Sequence, residues 1–599
     1  MDESQPTPAA AGSQSPKPAP AARPAENSSG GIKDTIESIL VAFILAFIFR
    51  AFVVEAFVIP TGSMAPTLLG AHMRFQCKDC GYQFDVNYSP KSDGDDITID
   101  PNAGPVPETR YDPVEKQNIF TGRMLPKIYN LHCPNCGYKV AATDVLDENN
   151  DATNPAVRYG DRILVLKYLY LFQEPRRWDV VVFKSPVDPG TYHYQQNYIK
   201  RLIGKPGESV MVLDGDAYIA PGGQGSKTED EYLKSFTVQT KPRDVQRALW
   251  RIVADNDYYP QGLKRLTEHL TEPVNGQWYS PETWVQPWQV RNGSGWDLGT
   301  NPSDGRIFRF HDTNAAGTIA FNADANPAKQ ALTDWLAYDV TENQPSGGPA
   351  NTYDTPERIV QMPVSDLKLE FYYQRQGDGA LRLRLSKLDD VFTAEFTTTA
   401  VTLSRTRAGR PAEVLGQRPL KKSGPMRIEF QNVDYQVSVR VDGEDLIQTT
   451  PQQYAPNVKQ LLEAYRSNIV FPRPTVEIEA EREQCSISHL RLWRDVYYRN
   501  REQRQSLQWA IPENFPEHLA ILGDDEYFVM GDNSVISGDA RYWGTPIKLP
   551  HEQLDVQSGR VPGRFLLGKA FFVYWPAGYR PTENAPALTP NFAEMRFIH

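Results

Sequence analysis

The sequence predicts a mainly β protein: one N-terminal transmembrane helix, an antiparallel β domain that carries the chemistry, and three inserted segments in that domain. Two observations predict this class. Short β-branched runs bounded by Gly and Pro lie on both sides of a central block, and part of that block alternates apolar and polar residues with a period of two. A length of 599 residues accommodates roughly three to five modules.

The composition argues against nucleic acid as the main partner. The net charge is -11, and no dense run of Lys or Arg is present to follow a phosphate backbone. Five cysteines are too few for a disulfide-built secreted fold, and four of them form two Cys-x-x-Cys pairs. The fifth, Cys485, is predicted to be a buried apolar thiol.

The N-terminal region predicts a flexible tail followed by a membrane anchor. Residues 1–30 hold too few large apolar side chains to form a core. Residues 36–59 are apolar except at a few positions such as Arg50 and Glu55, and about 20 such residues span a bilayer as a helix. A cleavable signal peptide is the alternative, which the long tail and the lack of a small-x-small site disfavour. The charges of the tail balance, so charge alone does not orient the anchor.

Residues 71–156 contain two copies of one metal-binding pattern, Cys-x-x-Cys-Gly-Tyr. The Gly of each copy frees backbone amides to face thiolate sulfur, and two such turns supply the four soft ligands of tetrahedral zinc. We expect a zinc-ribbon-like insertion with the ligands Cys77, Cys80, Cys133 and Cys136. Two local disulfides and a thioredoxin-like redox pair remain as alternatives.

The strands of the β domain are predicted within 157–214 and 521–599, and residues 60–70 are assigned to the same domain. Residues 215–300 are rich in Trp, Pro and Asn and predict an irregular insertion. Residues 301–520 include cleanly alternating runs and a hairpin turn, which predict an inserted β-sandwich. The sandwich weakly resembles concanavalin-like and laminin-G-like folds, whose ligands differ so widely that its own ligand stays unknown.

Three short motifs lie far apart in the chain behind the apolar segment. They are Pro60-Thr-Gly-Ser-Met-Ala-Pro-Thr67, Tyr198-Ile-Lys-Arg-Leu-Ile-Gly204, and Gly531-Asp-Asn-Ser534 with Ser537-Gly-Asp-Ala-Arg-Tyr-Trp-Gly544. In this order they resemble the bacterial type I signal peptidases, also called leader peptidases. The resemblance implies a signal-peptidase-type antiparallel β catalytic domain.

A serine hydroxyl is a poor nucleophile without a base, and none of the nine histidines lies in these motifs. Lys200 suits that role if burial among apolar neighbours keeps its amine neutral. The resemblance implies Ser63 as nucleophile and Lys200 as general base, an acyl-enzyme that water hydrolyses, and no cofactor for catalysis. It also implies that the Ser63 amide and the Thr61 hydroxyl hold the oxyanion.

The resemblance gives the third motif supporting roles. Ser537 is expected to hydrogen-bond the Lys200 amine, and Asp539 and Arg541 are expected to form an ion pair that braces the loop. Ile536 departs from the family, which commonly has Asn there, and this leaves the local hydrogen bonding of the loop open. The residues expected to shape the loop or to pack beside the nucleophile are Gly531, Asp532, Asn533 and Met64.

The resemblance implies a membrane-bound serine endopeptidase that removes N-terminal signal peptides from exported precursors. The resemblance, and not charge, also implies that the catalytic domain lies on the extracytoplasmic side of the cell membrane. The substrate is expected to bind as an added strand, with shallow pockets for small side chains at the first and third positions before the cut. Implied partners are precursor proteins, the lipid bilayer, the export translocon and an unknown ligand of the sandwich. A membrane-anchored binding or assembly protein and a narrow-specificity processing protease, as in the self-cleaving Ser/Lys repressors, remain alternatives.

Overall fold

Strands dominate the computed structural model, and the mainly β class is confirmed. It describes residues 29–87, 106–112, 117–125, 131–138, 140, 158–187, 196–223, 225, 227–263, 283–326, 331–339, 361–421, 424–500, 509–548, 556–576 and 591–599. The α-helices in these ranges are Ser29–Phe52, Leu169–Phe172, Glu229–Leu233, Arg243–Leu249 and Val458–Arg466.

The N-terminal apolar segment forms the helix Ser29–Phe52, and the strand Val54–Val58 follows almost at once. The predicted helical anchor over 36–59 is therefore wrong at its C-terminal end, where β-branched residues favour an extended chain. Across the described ranges, we find no helix with both the length and the apolar character of a membrane span. The described residues form two compact units, one that ends at Val54 and one that begins at Glu55.

The three motifs lie on or beside one antiparallel sheet. In spatial order its strands are Val54–Val58, Arg162–Leu166, Leu566–Trp575, Val180–Lys184, Asn197–Gly204, Glu526–Met530 and Val561–Pro562, with Arg596–Phe597 also paired to Leu566–Trp575. All strands of this sheet except Val54–Val58 lie within 157–214 and 521–599, where the β-branched runs predicted the strands of the β domain.

A four-stranded sheet is buried on both faces. Its strands are Thr237–Val238, Asp216–Pro221, Glu208–Leu213 and Ala520–Ile521. Side chains alternate along a strand, so Val210 and Val212 enter the apolar core of the first sheet, whereas Met211 and Leu213 enter a second core. This small sheet therefore joins the two cores directly.

Two larger antiparallel sheets share that second core, to which inward residues such as Phe371 and Leu383 contribute. The strands of one are Trp296–Asp297, Ile307–Phe310, Gln484–Arg494, Leu367–Gln376, Met426–Val433, Gln436–Val441 and Glu444–Gln448, with Arg251–Asp255 also paired to Gln484–Arg494. The strands of the other are Trp288–Asn292, Ala316–Phe321, Val476–Glu481, Ala380–Lys387, Asp390–Phe396, Ala400–Arg407 and Glu413–Pro419.

The predicted boundary at residue 300, between the irregular insertion and the β-sandwich, does not coincide with the limits of these sheets. Arg251–Asp255 and Trp288–Asn292, from the segment expected to be irregular, each belong to one of them. Both strands contain a register shift, and such a bulge breaks the alternation that reveals a strand in a sequence.

Two separate hairpins complete the described strands. His72–Gln76 pairs with Gln83–Asn87, and the turn between them contains Cys77 and Cys80. The other hairpin pairs Val106–Asp112 with Gln117–Leu125.

Candidate active site

Ser63 lies in a single 3-10 turn, Gly62–Met64, which Ala65 N closes by donating to Gly62 O at 2.9 Å. Position 62 requires Gly, because a Cβ there would lie 2.5 Å from the ring of Tyr338. Ser63 is 8% exposed, so its hydroxyl is largely shielded from bulk water.

Lys200, in the strand Asn197–Gly204, reaches the serine from the sheet. Its Nζ lies 2.7 Å from Ser63 Oγ, a hydrogen-bond distance. The strand pairs Lys200 with Val181 of the neighbouring strand, and this register fixes its position along the sheet. The sheet thus brings together two residues that are 137 positions apart.

Burial lowers the pKa of Lys200 to about 8, because little solvent remains to stabilise the ammonium. The charges of Asp539 and Asp532 oppose this effect from a distance. None of the ion pairs among the described residues includes Lys200. Near physiological pH a useful fraction of the amine is therefore neutral, as a general base requires.

The loop 531–541 contacts the nucleophile through its backbone. Asn533 N donates to Ser63 O at 3.0 Å, and Gly531 N donates to Asp539 Oδ2 at 2.9 Å. A Cβ at Gly531 would lie 2.5 Å from Ser63 O, so this close approach requires Gly. The loop therefore holds the peptide group of the serine itself.

The expected ion pair of Asp539 and Arg541 is present and fully buried. Arg541 Nε donates to Asp539 Oδ1 and Nη2 donates to Oδ2, each at 2.8 Å. Burial alone would raise the pKa of Asp539, but Arg541 outweighs it and holds that pKa below its ordinary value. Arg541 Nη1 also donates to Ser534 Oγ at 2.8 Å and to Arg499 O at 2.7 Å.

The structure agrees with the role expected of Met64, disagrees with that expected of Ser537 and does not test that of Thr61. Met64 is fully buried in an apolar cluster beside the turn. Ser537 is buried, but its hydroxyl has no hydrogen-bond partner in the described part of the chain, so the expected bond to Lys200 is absent. Thr61 is exposed and its side chain makes no capping bond to the turn, so its oxyanion role stays a prediction.

The motifs did not predict the ion-pair partner of Asp532, which is Arg201. Arg201 Nε and Nη2 donate to its two carboxylate oxygens, each at 2.7 Å, and both side chains are fully buried. A signal existed, because a residue next to Lys200 in a buried strand projects to the opposite face, where a guanidinium needs a carboxylate. No motif pointed to the distant residues that also reach these loops, which are Tyr338, Asp339 and Arg499.

The four predicted metal ligands come together. The Sγ atoms of Cys77, Cys80, Cys133 and Cys136 all lie within 4.8 Å of one another. Cys77 and Cys136 Sγ are 3.6 Å apart, as are those of Cys80 and Cys133, and none of these four cysteines forms a disulfide. These separations exceed the roughly 2.05 Å of a disulfide, so the disulfide alternative is not present in the structure.

Their surroundings also fit a metal. Gly81 N donates to Cys77 O and Gly137 N donates to Cys133 O, each at 2.8 Å, and both glycines have positive φ. These are two copies of one tight turn. Four thiols in such turns form the donor set of a structural zinc site.

A protein-family model described as signal peptidase, peptidase S26, matches residues 32–111, 140–320 and 468–575, which is more than half of the chain. Among curated relatives, signal peptidase I of Leptolyngbya laminosa is 35% identical over 108 residues, 17% of this chain and 46% of the relative. Signal peptidase I of Pseudomonas aeruginosa is 37% identical over 94 residues, 15% of this chain and 25% of the relative. The chain spans less than half the length of either relative.

A solved structure titled carbohydrate-binding module CBM66 from Bacillus subtilis matches 34% of this chain and 94% of that module, at 11% identity and a TM-score of 0.20. A score this low carries no argument about the two larger sheets. The match to the family model, in contrast, covers most of the chain and includes all three motifs. This protein therefore belongs to the signal peptidase family, peptidase S26.

Proposed function

We propose that this protein is an endopeptidase that removes signal peptides from precursor proteins through a Ser63–Lys200 dyad. The observation that carries the proposal is the 2.7 Å contact between Lys200 Nζ and Ser63 Oγ, at a lysine with no carboxylate bound to it in the described ranges. The names of the curated relatives supply the substrate class.

In the proposed reaction, neutral Lys200 Nζ takes the Ser63 proton as Oγ attacks the carbonyl carbon of the scissile peptide bond. The same Nζ then gives that proton to the leaving amine, and an acyl-enzyme remains. Lys200 next removes a proton from water as the water oxygen attacks the ester carbonyl. The bond to Ser63 Oγ then breaks, Lys200 returns the proton to Oγ, and the second product leaves as a carboxylic acid. The Ser63 amide and the Thr61 hydroxyl are the oxyanion donors we propose.

Beside Lys200, one edge of its strand has no strand paired to it in the described ranges. The strand Glu526–Met530 pairs with Asn197–Gly204 only from Gly204 back to Arg201. From Lys200 back to Asn197, the strand is paired on one side only among the described strands, and its partner there is Val180–Lys184. An extended substrate added along the free edge would pass the dyad, which supports recognition by strand addition.

Cleavage of a signal-peptide-bearing precursor in detergent tests the function. Ser63→Ala and Lys200→Ala are each expected to lower kcat/KM by at least about 1,000-fold. Lys234→Ala, which changes an exposed lysine, is the matched control and keeps full activity. Full activity in either dyad variant contradicts the mechanism, and a wild-type protein that cleaves no precursor favours a binding or assembly role.

We also propose one structural zinc ion at the four cysteines. Elemental analysis should find about one zinc per chain, and Cys133→Ser should lose it together with thermal stability. Cys485→Ser, which changes the buried fifth thiol, leaves the zinc content unchanged. Zinc-free protein with free thiols contradicts the assignment.

The cell membrane is the location we propose, with the catalytic domain on its extracytoplasmic side. This rests on the apolar sequence of residues 39–49 and on the proposed substrates, which are exported proteins. The test is fractionation with an alkaline carbonate wash followed by protease protection. Release into the wash contradicts an anchor, and protection from external protease in spheroplasts contradicts the orientation.

A further inference from the structure

We propose that residues 331–339, which lie outside the stretches matched by the family model, are a positioning element for the dyad, with Asp339 as its positioning residue. The element holds the turn of Ser63 and the loop 531–541 in fixed relation to each other. This inference rests on the proposed peptidase function and adds a residue that none of the three motifs contains.

The first contact is with the nucleophile turn. The Tyr338 ring lies against Gly62, where an added Cβ would be 2.5 Å from Cε1. Tyr338 is only 4% exposed, and its carbonyl accepts a 3.0 Å bond from Asn87 N. A ring held in place at this glycine limits how far the turn of Ser63 can move.

The second contact is a short hydrogen-bonded path to Ser63. Asp339 Oδ1 accepts a 2.7 Å bond from Asn533 Nδ2, and Asn533 N donates to Ser63 O at 3.0 Å. Asn533 is fully buried, so losing Asp339 would leave its amide unpaired. Asp339 therefore fixes the residue that orients the peptide group of the nucleophile.

A third contact connects the element to the Asp539–Arg541 pair. Asp334 forms a buried ion pair with Arg499 through two hydrogen bonds. Arg499 N donates to Ser534 Oγ at 2.8 Å, and Arg499 O accepts from Arg541 Nη1 at 2.7 Å. The guanidinium that braces the loop is thus itself held by residues that the element positions.

Apolar packing accounts for the departure from the family at Ile536. Ile536 and Leu336 pack against a small cluster formed by Ala65, Leu69 and Tyr338. An apolar side chain in the loop therefore meets apolar side chains of the element and of the nucleophile turn. Asn at this position would place an amide in the same cluster, so the loop and the element are matched to each other.

The element is itself anchored, as a positioning device must be. Asp334 N donates to Met362 O and Val364 N donates to Leu332 O, each at 2.9 Å. These bonds tie it to the residues just before the strand Leu367–Gln376. On another side, Trp335 and Ala337 pack in the apolar cluster that contains the four cysteines.

The test uses the full-length protein and two substitutions at one position. Asp339→Ala removes the acceptor for Asn533, whereas Asp339→Asn keeps an oxygen there. Burial raises the pKa of Asp339 to about 7, so the neutral Asn variant resembles a form that the native site already populates. Asp378→Leu, at an exposed hairpin position, is the matched control.

Two measurements distinguish a positioning role of Asp339 from a loss of folded protein and from a change in substrate preference. A p-nitrophenyl ester acylates Ser63 and releases nitrophenolate, so the burst amplitude counts competent sites and the burst rate reports their reactivity. Precursor cleavage gives kcat and KM. Wild-type protein that acylates but cleaves no precursor refutes the proposed function and leaves the inference testable through the burst rate.

For Asp339→Ala we expect an unchanged burst amplitude, a burst rate and kcat about tenfold lower, and an unchanged KM. Asp339→Asn and Asp378→Leu should stay within about twofold of wild type. A wild-type rate in Asp339→Ala, a lower amplitude at unchanged rate, or equal losses in the Ala and Asn variants would each overturn the inference. If Asp339→Ala does not fold, Asn533→Ala tests the same bond from its other end, with the same expected rate loss.

Discussion

Lys200 and Lys241 are both deeply buried, at 5% and 2% exposure, but the pKa values of their amines are shifted in opposite directions. Lys200 contacts a hydroxyl, and its pKa is lowered to about 8 by burial. Burial opposes the charge of Lys241 too, but Asp434 and Asp495 outweigh it and hold the pKa of Lys241 well above its ordinary value. The difference between the two sites lies in the counter-ions.

Lys387 repeats the pattern of Lys241 beside it. Its ammonium binds Asp216 of the small sheet and Asp366 just before a strand of a larger sheet. The carboxylates of Asp216, Asp366 and Asp434 lie close enough to hold a metal ion, but the two lysines already provide the positive charge there. This buried cluster connects the small sheet to the larger sheets.

Acidic residues are also near Lys200, but they are paired elsewhere. Asp539 binds Arg541 and Asp532 binds Arg201, in each case through both carboxylate oxygens. Each acid is thus neutralised by a guanidinium, and its remaining effect on Lys200 is smaller than that of burial. Lys200 can therefore act as a base because the nearby acids bind other cations, whereas the acids beside Lys241 bind its ammonium.

Replacing the two lysines by Met is the strongest test. Lys200→Met should lower kcat/KM by at least about 1,000-fold while the urea midpoint stays equal or rises, because a poorly solvated amine is lost. Fluorescence-monitored unfolding and a cleavage assay measure the two effects. A large loss of stability would show that Lys200 has a structural role like that of Lys241.

Lys241→Met should instead destabilise the protein by about 3–5 kcal/mol, since Asp434 and Asp495 would keep buried charge without a partner. The remaining folded protein should keep the wild-type kcat per titratable Ser63. An unchanged urea midpoint would mean that these carboxylates do not need the ammonium.

The pH profile tests the lowered pKa directly. Because the amine acts as a base only when it is neutral, kcat/KM should rise about tenfold per unit below pH 8, reach half its plateau near pH 8, and level off above pH 9. Rates from pH 5.5 to 10.5 measure this dependence. A profile that keeps rising to pH 10.5 would show that burial does not shift this lysine.

The smallest expected effect is at Tyr198, whose ring centre lies 5.9 Å from Lys200 Nζ. An aromatic face favours the ammonium form by about 0.5–1 kcal/mol, so Tyr198→Leu should move the midpoint of the pH profile down by roughly half a unit. Tyr159→Leu, at an exposed position, should leave the midpoint in place. An upward shift in Tyr198→Leu would contradict the predicted effect of the ring.

Local patterns predicted much of this fold and its site. β-branched runs identified strands of the first sheet, and the two Cys-x-x-Cys pairs predicted a site of four thiols. Both signals arise from residues that are close in sequence. The strands Arg251–Asp255 and Trp288–Asn292 were missed where bulges interrupt the alternation. The expected bond from Ser537 to Lys200 was inferred from the family and is absent.

The sequence by itself determined the mainly β class, the resemblance to the signal peptidases and the pairing of Ser63 with Lys200, since each depends on composition or on short motifs. Only the tertiary structure decided that Lys200 has no bound counter-ion among the described residues while Lys241 has two, and that residues 331–339 reach both loops of the site. The physical reason is that burial and Coulomb interactions depend on distances in space, which are set by segments hundreds of residues apart.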